Sequence, residues 1–292
     1  MASLEFSTRD LTAKVGDNSA EGSHRVGYNG VWSLKHRTET RNLFVPTVCG
    51  LNLEHIIDGF TDDNALEVFF EPRHAPMELT KIADNAAELH QPPTPTFHLE
   101  SWTRFTFVEP HYIDFHFRCI PRQHVFKQGW IGLFWASYIN APEDKSIYFV
   151  GDGPQGKGNW AQYCTQFHND QSTVRHAADS VDLNFRPENR PSLFRNYSQL
   201  RYEQPFYYGN FDNHIWMIMF DRTDGIRFSH SPSGGGINAE RKSSNPAWDF
   251  QFIIPRYEVN KEYGFRARAL LRERCSRQEL LDEYRKWNPP GR

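Results

Sequence analysis

Two clusters in this 292-residue chain hold side chains able to move protons or anchor hydroxyl groups. The first runs Gly50-Leu-Asn52-Leu-Glu54-His55-Ile-Ile-Asp58-Gly59 and resumes at Glu71-Pro-Arg73-His74. Neutral imidazole and ionised carboxylate serve equally as metal ligands and as acid/base groups, so Glu54, His55, Asp58, Glu71 and His74 are candidates for either task. Their spacing is not that of a paired-histidine metal helix. Structural histidines and charged turns are the competing account of the same residues.

The second cluster lies on alternate positions of two apolar segments. Phe97, Leu99, Phe105 and Phe107 occupy odd positions, as do Ile113, Phe115, Phe117 and Cys119 after a break at Glu109-Pro110. Period-two alternation places successive side chains on opposite faces of a strand, so this is the clearest hairpin in the chain. Its even positions carry His98, Glu100, Trp102 and Arg104, then Asp114, His116 and Arg118. If paired residue numbers add to 218, Glu100 faces Arg118, Trp102 faces His116 and Arg104 faces Asp114, and such complementary pairs stabilise a sheet modestly. A register adding to 220 fits the same pattern. One reading makes this face a groove, with Trp102 as platform for the apolar side of a sugar ring and a carboxylate and a His as general base and acid. The other makes it a solvated outer face whose charges neutralise each other.

These groups need a scaffold, and most of the chain reads as strand. Gly30 to Leu34, Trp130 to Ile139, Ile147 to Val150, Asn213 to Phe220, Ile226 to Ser229, Trp248 to Ile254 and Tyr263 to Leu271 are further strand candidates. Gly, Pro, Asn and Asp separate them, as in an antiparallel sandwich. Ser276 with Glu279 forms a capping box, and Leu280, Tyr284 and Trp287 line one face of the helix it opens, over about 276–287, before Pro289. Thr61 to Pro95, with room for a short helix, and the polar Gln155 to Gln204 resist assignment. The expected organisation is all-β: one large antiparallel sandwich domain over 1–292 with a C-terminal helix.

Composition excludes several function classes. With 33 basic against 36 acidic side chains, the chain has no surplus of cations for a nucleic-acid backbone. No apolar run approaches a membrane span, and Arg9 and Asp10 stand where a signal peptide would be apolar, so the protein as written is expected in the cytoplasm, or exported if a leader has been removed. Cys49, Cys119, Cys164 and Cys275 form no CxxC pair and read as reduced thiols. Gly151-Asp-Gly153-Pro-Gln-Gly156 formally matches a dinucleotide fingerprint but lacks the following helix, so no nucleotide cofactor is expected. A divalent metal is left open. Ser233-Gly234-Gly235-Gly236 lacks a phosphate-loop Lys-Ser/Thr, and no Gly-x-Ser-x-Gly elbow occurs. His168 and His214 stand alone, His214 as a satisfied interior group.

From Pro205 the order of segments carries a resemblance: Pro205-Phe-Tyr-Tyr208-Gly, Trp216 to Asp221, Arg227-Phe-Ser-His-Ser231-Pro, Asn245-Pro-Ala-Trp248-Asp249-Phe-Gln, and Tyr257 to Tyr263. With Val31-Trp-Ser-Leu-Lys-His36 and Arg41-Asn42-Leu-Phe44, this layout resembles the galactose-mutarotase-like superfamily. The resemblance implies a large β-sandwich with a sugar in its concave sheet, in a group of aldose epimerases and accessory domains of glycosidases and lyases. Asn213-His214 matches an epimerase element only in part and a late Glu-Pro element is missing, so no epimerase catalytic residue carries over.

The reading that follows is a carbohydrate-active protein, an epimerase, lyase or glycosidase, with a sugar as its partner and neither nucleic acid nor membrane. Glu100 or Glu71 is the expected base and His116 or His55 the acid. Trp102 and Trp135 are the ring platforms, and Arg73, Arg118 and Tyr208 the anchors. A non-catalytic sugar-binding protein is the alternative, and an interaction protein whose aromatics only fill the core is a third class. Oligomeric state leaves no signature.

Overall fold

The structure is a computed structural model that describes residues 2–62, 64–153, 156–188 and 193–288. Strands β1 (Ser3–Ser7), β2 (Leu11–Gly16) and β3 (Gly30–His36) form a small antiparallel sheet. β4 (Asn52–Ile57) is followed by two single-turn helices, α1 (Leu66–Phe69) and α2 (Glu71–His74). A meander comes next: β5 (Glu78–Ala83), β6 (Ala86–Gln91), β7 (Leu99–Val108) and β8 (Tyr112–Pro121). Then follow β9 (Ile131–Ala136), β10 (Ile147–Gly153), β11 (Gly156–Tyr163), β12 (Thr173–His176), β13 (Tyr197–Tyr202), β14 (Phe206–Phe211), β15 (His214–Phe220) and β16 (Ile226–Ser231). The short pair β17 (Ile237–Asn238) and β18 (Ser243–Ser244) precedes β19 (Ala247–Ile254), β20 (Tyr263–Glu273) and α3 (Arg277–Trp287).

Among the described residues the large sheet runs β4-β9-β19-β16-β12-β13-β10-β14-β15-β20-β8-β7-β6-β5, with β11 paired to β10. Its pairings are antiparallel except for β12 with β13. The sheet folds over so that its two halves face each other. Trp135 of β9 stacks on Phe250 of β19 at 5.1 Å and meets Phe117 of β8 and Phe265 of β20 edge-on at 4.7 and 5.3 Å. Aromatic pairs at such separations add to the area they bury, which is what the chain's 15% aromatic content supplies. The N-terminal sheet joins the same core through Phe6, stacked on Phe107 at 4.8 Å.

Alternation decides what each strand gives to each face. The odd residues of β7 and β8 are buried and the even ones half-buried or exposed, as expected for strands with one wet face. Strands β4, β9, β16 and β19 are buried along their whole length. Ile131, Leu133 and Trp135 of β9 enter the main core, whereas Phe134 and Ala136 join a second apolar cluster on the opposite side. β19 divides likewise: Trp248, Phe250 and Phe252 face the main core, and Ala247 and Ile253 the second cluster. Asp249 and Gln251, on the same alternate positions as Ala247 and Ile253, therefore also point away from the main core.

α3 forms as its capping box predicts: the Ser276 side chain accepts from the Glu279 backbone, and the Glu279 carboxylate accepts from the Ser276 backbone. Such a cap is worth about 1 kcal/mol. Leu280 is fully buried against Tyr112, Met217 and Leu270. Pro289 lies outside the described residues. No helix among the described residues is long and apolar enough to cross a membrane.

The unassigned Thr61 to Pro95 holds α1, α2 and the exposed strand β5 with its partner β6. The glycine fingerprint is a hairpin in which Gly153 faces Gly156 and β11 follows directly, so no helix begins there; Pro154 and Gln155 lie outside the described residues. β7 and β8 pair with residue numbers adding to 220: Trp102 faces Arg118, Arg104 faces His116 and Glu100 faces Ile120.

Candidate functional site

On the side of β4, β9, β19 and β16 turned away from the main core lies a cavity of about 520 Å³. β4 supplies Glu54 and His55, β19 supplies Asp249, β16 supplies Ser231, and Tyr138 follows β9. Arg73 of α2 and His168 complete its polar groups.

Glu54 is the most heavily engaged of these. Its Oε1 accepts from the Tyr138 hydroxyl at 2.6 Å and from Arg73 Nη1 at 3.2 Å. Arg73 Nε donates to the Gly27 carbonyl at 2.8 Å, and its guanidinium lies 4.0 Å over the Tyr28 ring. A four-residue helix cannot hold such a side chain in place by its own hydrogen bonds. It is pinned from outside: Asn18 Nδ2 donates to the carbonyls of Pro72, Arg73 and Ala75, and Gln91 Nε2 donates to Pro72. The Glu71 carboxylate accepts from the backbone N–H groups of Thr96 and Phe97.

Burial raises the Glu54 pKa, while the Tyr138 hydrogen bond and the Arg73 charge oppose that rise. Burial pushes Asp249 well above the usual carboxylate range; the Ser137 backbone N–H, donating at 2.8 Å, opposes this and the Glu54 charge adds to it. Among the described residues Asp249 has no cationic partner. Burial thus raises both carboxylates of one cavity, and only at Glu54 does a cation oppose the rise, an asymmetry that suits Glu54 as base and Asp249 as acid.

The Tyr138 pKa lies well above its ordinary value, first through burial, so the hydroxyl remains a donor. His55 is pushed down to about 3 by burial and is neutral. Its Nδ1 faces the Phe69 carbonyl at 3.2 Å and must carry the proton, which leaves Nε2 as a lone pair 3.7 Å from Glu54 Oε2. Burial also lowers His168, whose Nδ1 lies 2.8 Å from the Ser231 hydroxyl.

Of the residues expected from sequence, the structure brings Glu54, His55 and Arg73 into this cavity. As a neutral imidazole His55 has no second proton to give, so it does not suit the role of acid assigned to it. Glu71 is buried behind the cavity, its oxygens committed to the backbone that positions α2. Glu100, Trp102 and Arg118 sit on the outer face of the hairpin. There Glu100 accepts from His90 Nε2 at 2.9 Å and Arg122 Nε at 2.7 Å, and Trp102 stacks between His90 and the Arg118 guanidinium. His116 lies further along that face opposite Arg104, apart from Glu100. Trp135 is fully buried between the halves of the sheet, so it offers no ring to a ligand. Tyr208 accepts from Arg277 of α3 at 3.1 Å and stacks on Tyr148 at 5.1 Å.

Asp249, Tyr138 and Ser231 carry no role in the sequence reading, His168 stands there as a lone histidine, and Glu54 is among its metal-ligand or acid/base candidates. The available signal is a carboxylate inside a strand that carries several apolar residues, Glu54 in Asn52–Ile57 and Asp249 in Ala247–Ile254. Among the described residues no group of three or more His, Cys, Asp or Glu side chains is arranged to hold a metal ion.

The architecture is a large β-sandwich that this chain shares with solved structures of other proteins. A protein from Escherichia coli K12 provisionally assigned as an aldose 1-epimerase superposes with a TM-score of 0.54 at 8% identity, over 93% of this chain and 99% of that one. The Slr1438 protein from Synechocystis sp. PCC 6803 does so with a TM-score of 0.51 at 10% identity, over 93% and 96%. A TPR-domain containing protein from Parabacteroides distasonis matches at 0.50 and 8% identity, over 94% of this chain and 47% of its own. At such identities the likeness is one of fold. No family model matches the sequence, and no curated protein does.

Proposed function

We propose that this protein binds an aldose in the Glu54 cavity and interconverts its anomers by acid/base catalysis. Glu54 accepts the proton of the anomeric hydroxyl while Asp249 gives its proton to the ring oxygen. The bond between C1 and the ring oxygen breaks, an open-chain aldehyde forms, Glu54 becomes protonated and Asp249 ionised. Rotation about the bond from C1 to C2 presents the other carbonyl face, and closure returns both protons to their first positions. Tyr138 and Arg73 hold the Glu54 carboxylate, and His168 and Ser231 are placed to bond sugar hydroxyls.

The observation that carries this reading is the pairing, in one cavity, of an Arg-matched carboxylate with a carboxyl group that has no cation. The cavity is large enough for a monosaccharide, and the E. coli protein of this fold assigned to aldose epimerisation makes the same class of ligand the natural one to test. Polarimetry of freshly dissolved aldoses gives the test. Acceleration by the wild-type protein that falls about 10²-fold or more in Glu54→Gln is expected for loss of a positioned base. Saturable sugar binding with no acceleration for any aldose would make it a binding protein instead.

A further inference from the structure

Outside that cavity, three arginines stand side by side on adjacent strands. Arg175 of β12 is the direct partner of Arg201 on β13 and of Arg227 on β16. Cross-strand partners point to the same face, and like charges placed opposite one another destabilise a sheet. Val174 and Phe228, next to them in sequence, enter the main core, so the arginine row lies on the other face.

Two carboxylates stand by this row: Asp152 of β10 is the direct partner of Arg201, and Asp179 is committed to Arg227. Asp179 accepts from Arg227 Nε at 2.8 Å and Nη2 at 3.3 Å. Arg227 Nη1 donates to the Tyr197 hydroxyl at 3.2 Å, and the Arg175 guanidinium lies 4.1 Å over the Tyr197 ring. Arg175 Nε is buried and has no hydrogen-bond partner among the described residues. Arg201 reaches only the Asp179 carbonyl, at 3.4 Å. Burial and then the Arg175 charge lower the Arg201 pKa, which places the guanidinium groups within electrostatic reach of each other. Arg227 and Asp179, but not Arg175 or Arg201, line a neighbouring cavity of about 370 Å³ to which Arg222 and Asp224 also contribute.

We propose that Arg201 and Arg175, with the buried Arg227 beside them, form a binding site for a phosphoryl group. Three guanidinium groups against Asp179 and Asp152 leave one positive charge in surplus, which a bound anion balances. The planar forks of Arg175 and Arg201 match its oxygens, and the unpartnered Arg175 Nε is a donor in want of an acceptor. Arg227 lies four residues from Ser231 along β16, about 13 Å at the strand rise, so this site is separate from the Glu54 cavity and does not depend on its chemistry.

Thermal unfolding of the whole chain in inorganic phosphate tests this, against sodium chloride at equal ionic strength. The wild-type protein should gain several degrees in phosphate and not in chloride. Arg175→Gln and Arg201→Gln should each weaken phosphate binding, measured by calorimetry, about tenfold. Neither should lower the melting temperature without phosphate, because each removes a like charge from the row. Phenyl phosphate separates the sources: equal affinity assigns the site to the phosphoryl group alone, and tighter binding to a group carried on a larger molecule. Chloride reproducing the phosphate effect, or unchanged calorimetry in the Arg175→Gln and Arg201→Gln double variant, would overturn the proposal. The chloride comparison decides without any variant.

Discussion

Glu54 and Asp249 reach one cavity from β4 and β19, with β9 between them, and among the described residues only Glu54 is matched by a cation. Burial raises both pKa values, and only at Glu54 does a cation oppose the rise. The pair is created by strands buried on both faces, since a strand with one wet face would leave such a carboxylate hydrated and near its ordinary pKa.

Arg73 and Glu54 should behave as a coupled pair. Arg73→Met leaves Glu54 buried without its cation and should cost about 3 kcal/mol, the low end for a broken buried pair because Arg73 keeps 15% exposure. Adding Glu54→Gln to that variant should recover part of the loss. Urea unfolding of the four proteins of the cycle measures this, and strictly additive effects would mean that the two side chains do not interact.

His55 should make the fold sensitive to mild acid. Its pKa is about 3 in the folded chain against an ordinary 6.5, so below pH 6.5 the unfolded chain takes up a proton that the folded chain refuses. Stability is therefore complete above pH 6.5 and declines as pH falls toward 3. At pH 5 this group alone accounts for a loss of roughly 2 kcal/mol. Unfolding of wild type and His55→Asn at pH 7.5 and pH 5 should show a smaller difference between the two pH values in the variant.

Trp135 should act as core and nothing else. Trp135→Ala should destabilise by about 3–5 kcal/mol, as for other large buried aromatics. A Trp135→Phe protein that remains folded should bind sugar as the wild type does, by calorimetry.

The outer hairpin face should be silent in the reaction. Glu100→Gln and Trp102→Ala should leave the anomerisation rate within about twofold of wild type. The ion pairs of Glu100 are partly exposed, so its substitution should shift stability by about 1 kcal/mol or less in thermal unfolding. A rate loss near that of Glu54→Gln would return the active site to this face.

Strands with one wet face announce themselves in the sequence. The alternation of Phe105, Phe107, Phe115 and Phe117 gives β7 and β8, and Ser276 with Glu279 gives the start of α3. β5 and β11 were not readable because their side chains are mostly exposed and carry no apolar period. The site was hidden for the opposite reason. In β4, β9 and β19 both faces are buried, so Glu54 and Asp249 form no alternating polar face, and the most regular polar face in the chain points instead to Glu100 and His116. Which carboxylate meets Arg73 depends on the folding over of the sheet and on Asn18 and Gln91 fixing α2, contacts that span more than fifty and about twenty residues respectively.

The pH dependence of aldose anomerisation, compared among wild type, Glu54→Gln and Asp249→Asn, tests the assignment of base and acid most directly. The wild-type rate should fall in acid as Glu54, its pKa raised above 4.5, takes up a proton, and fall in alkali as Asp249, raised well above 3.8, loses one. Asp249→Asn should lower the maximum and abolish the alkaline limb, and Glu54→Gln should remove the acid limb together with most of the rate. Wild-type limbs that persist unchanged in both variants would contradict the account.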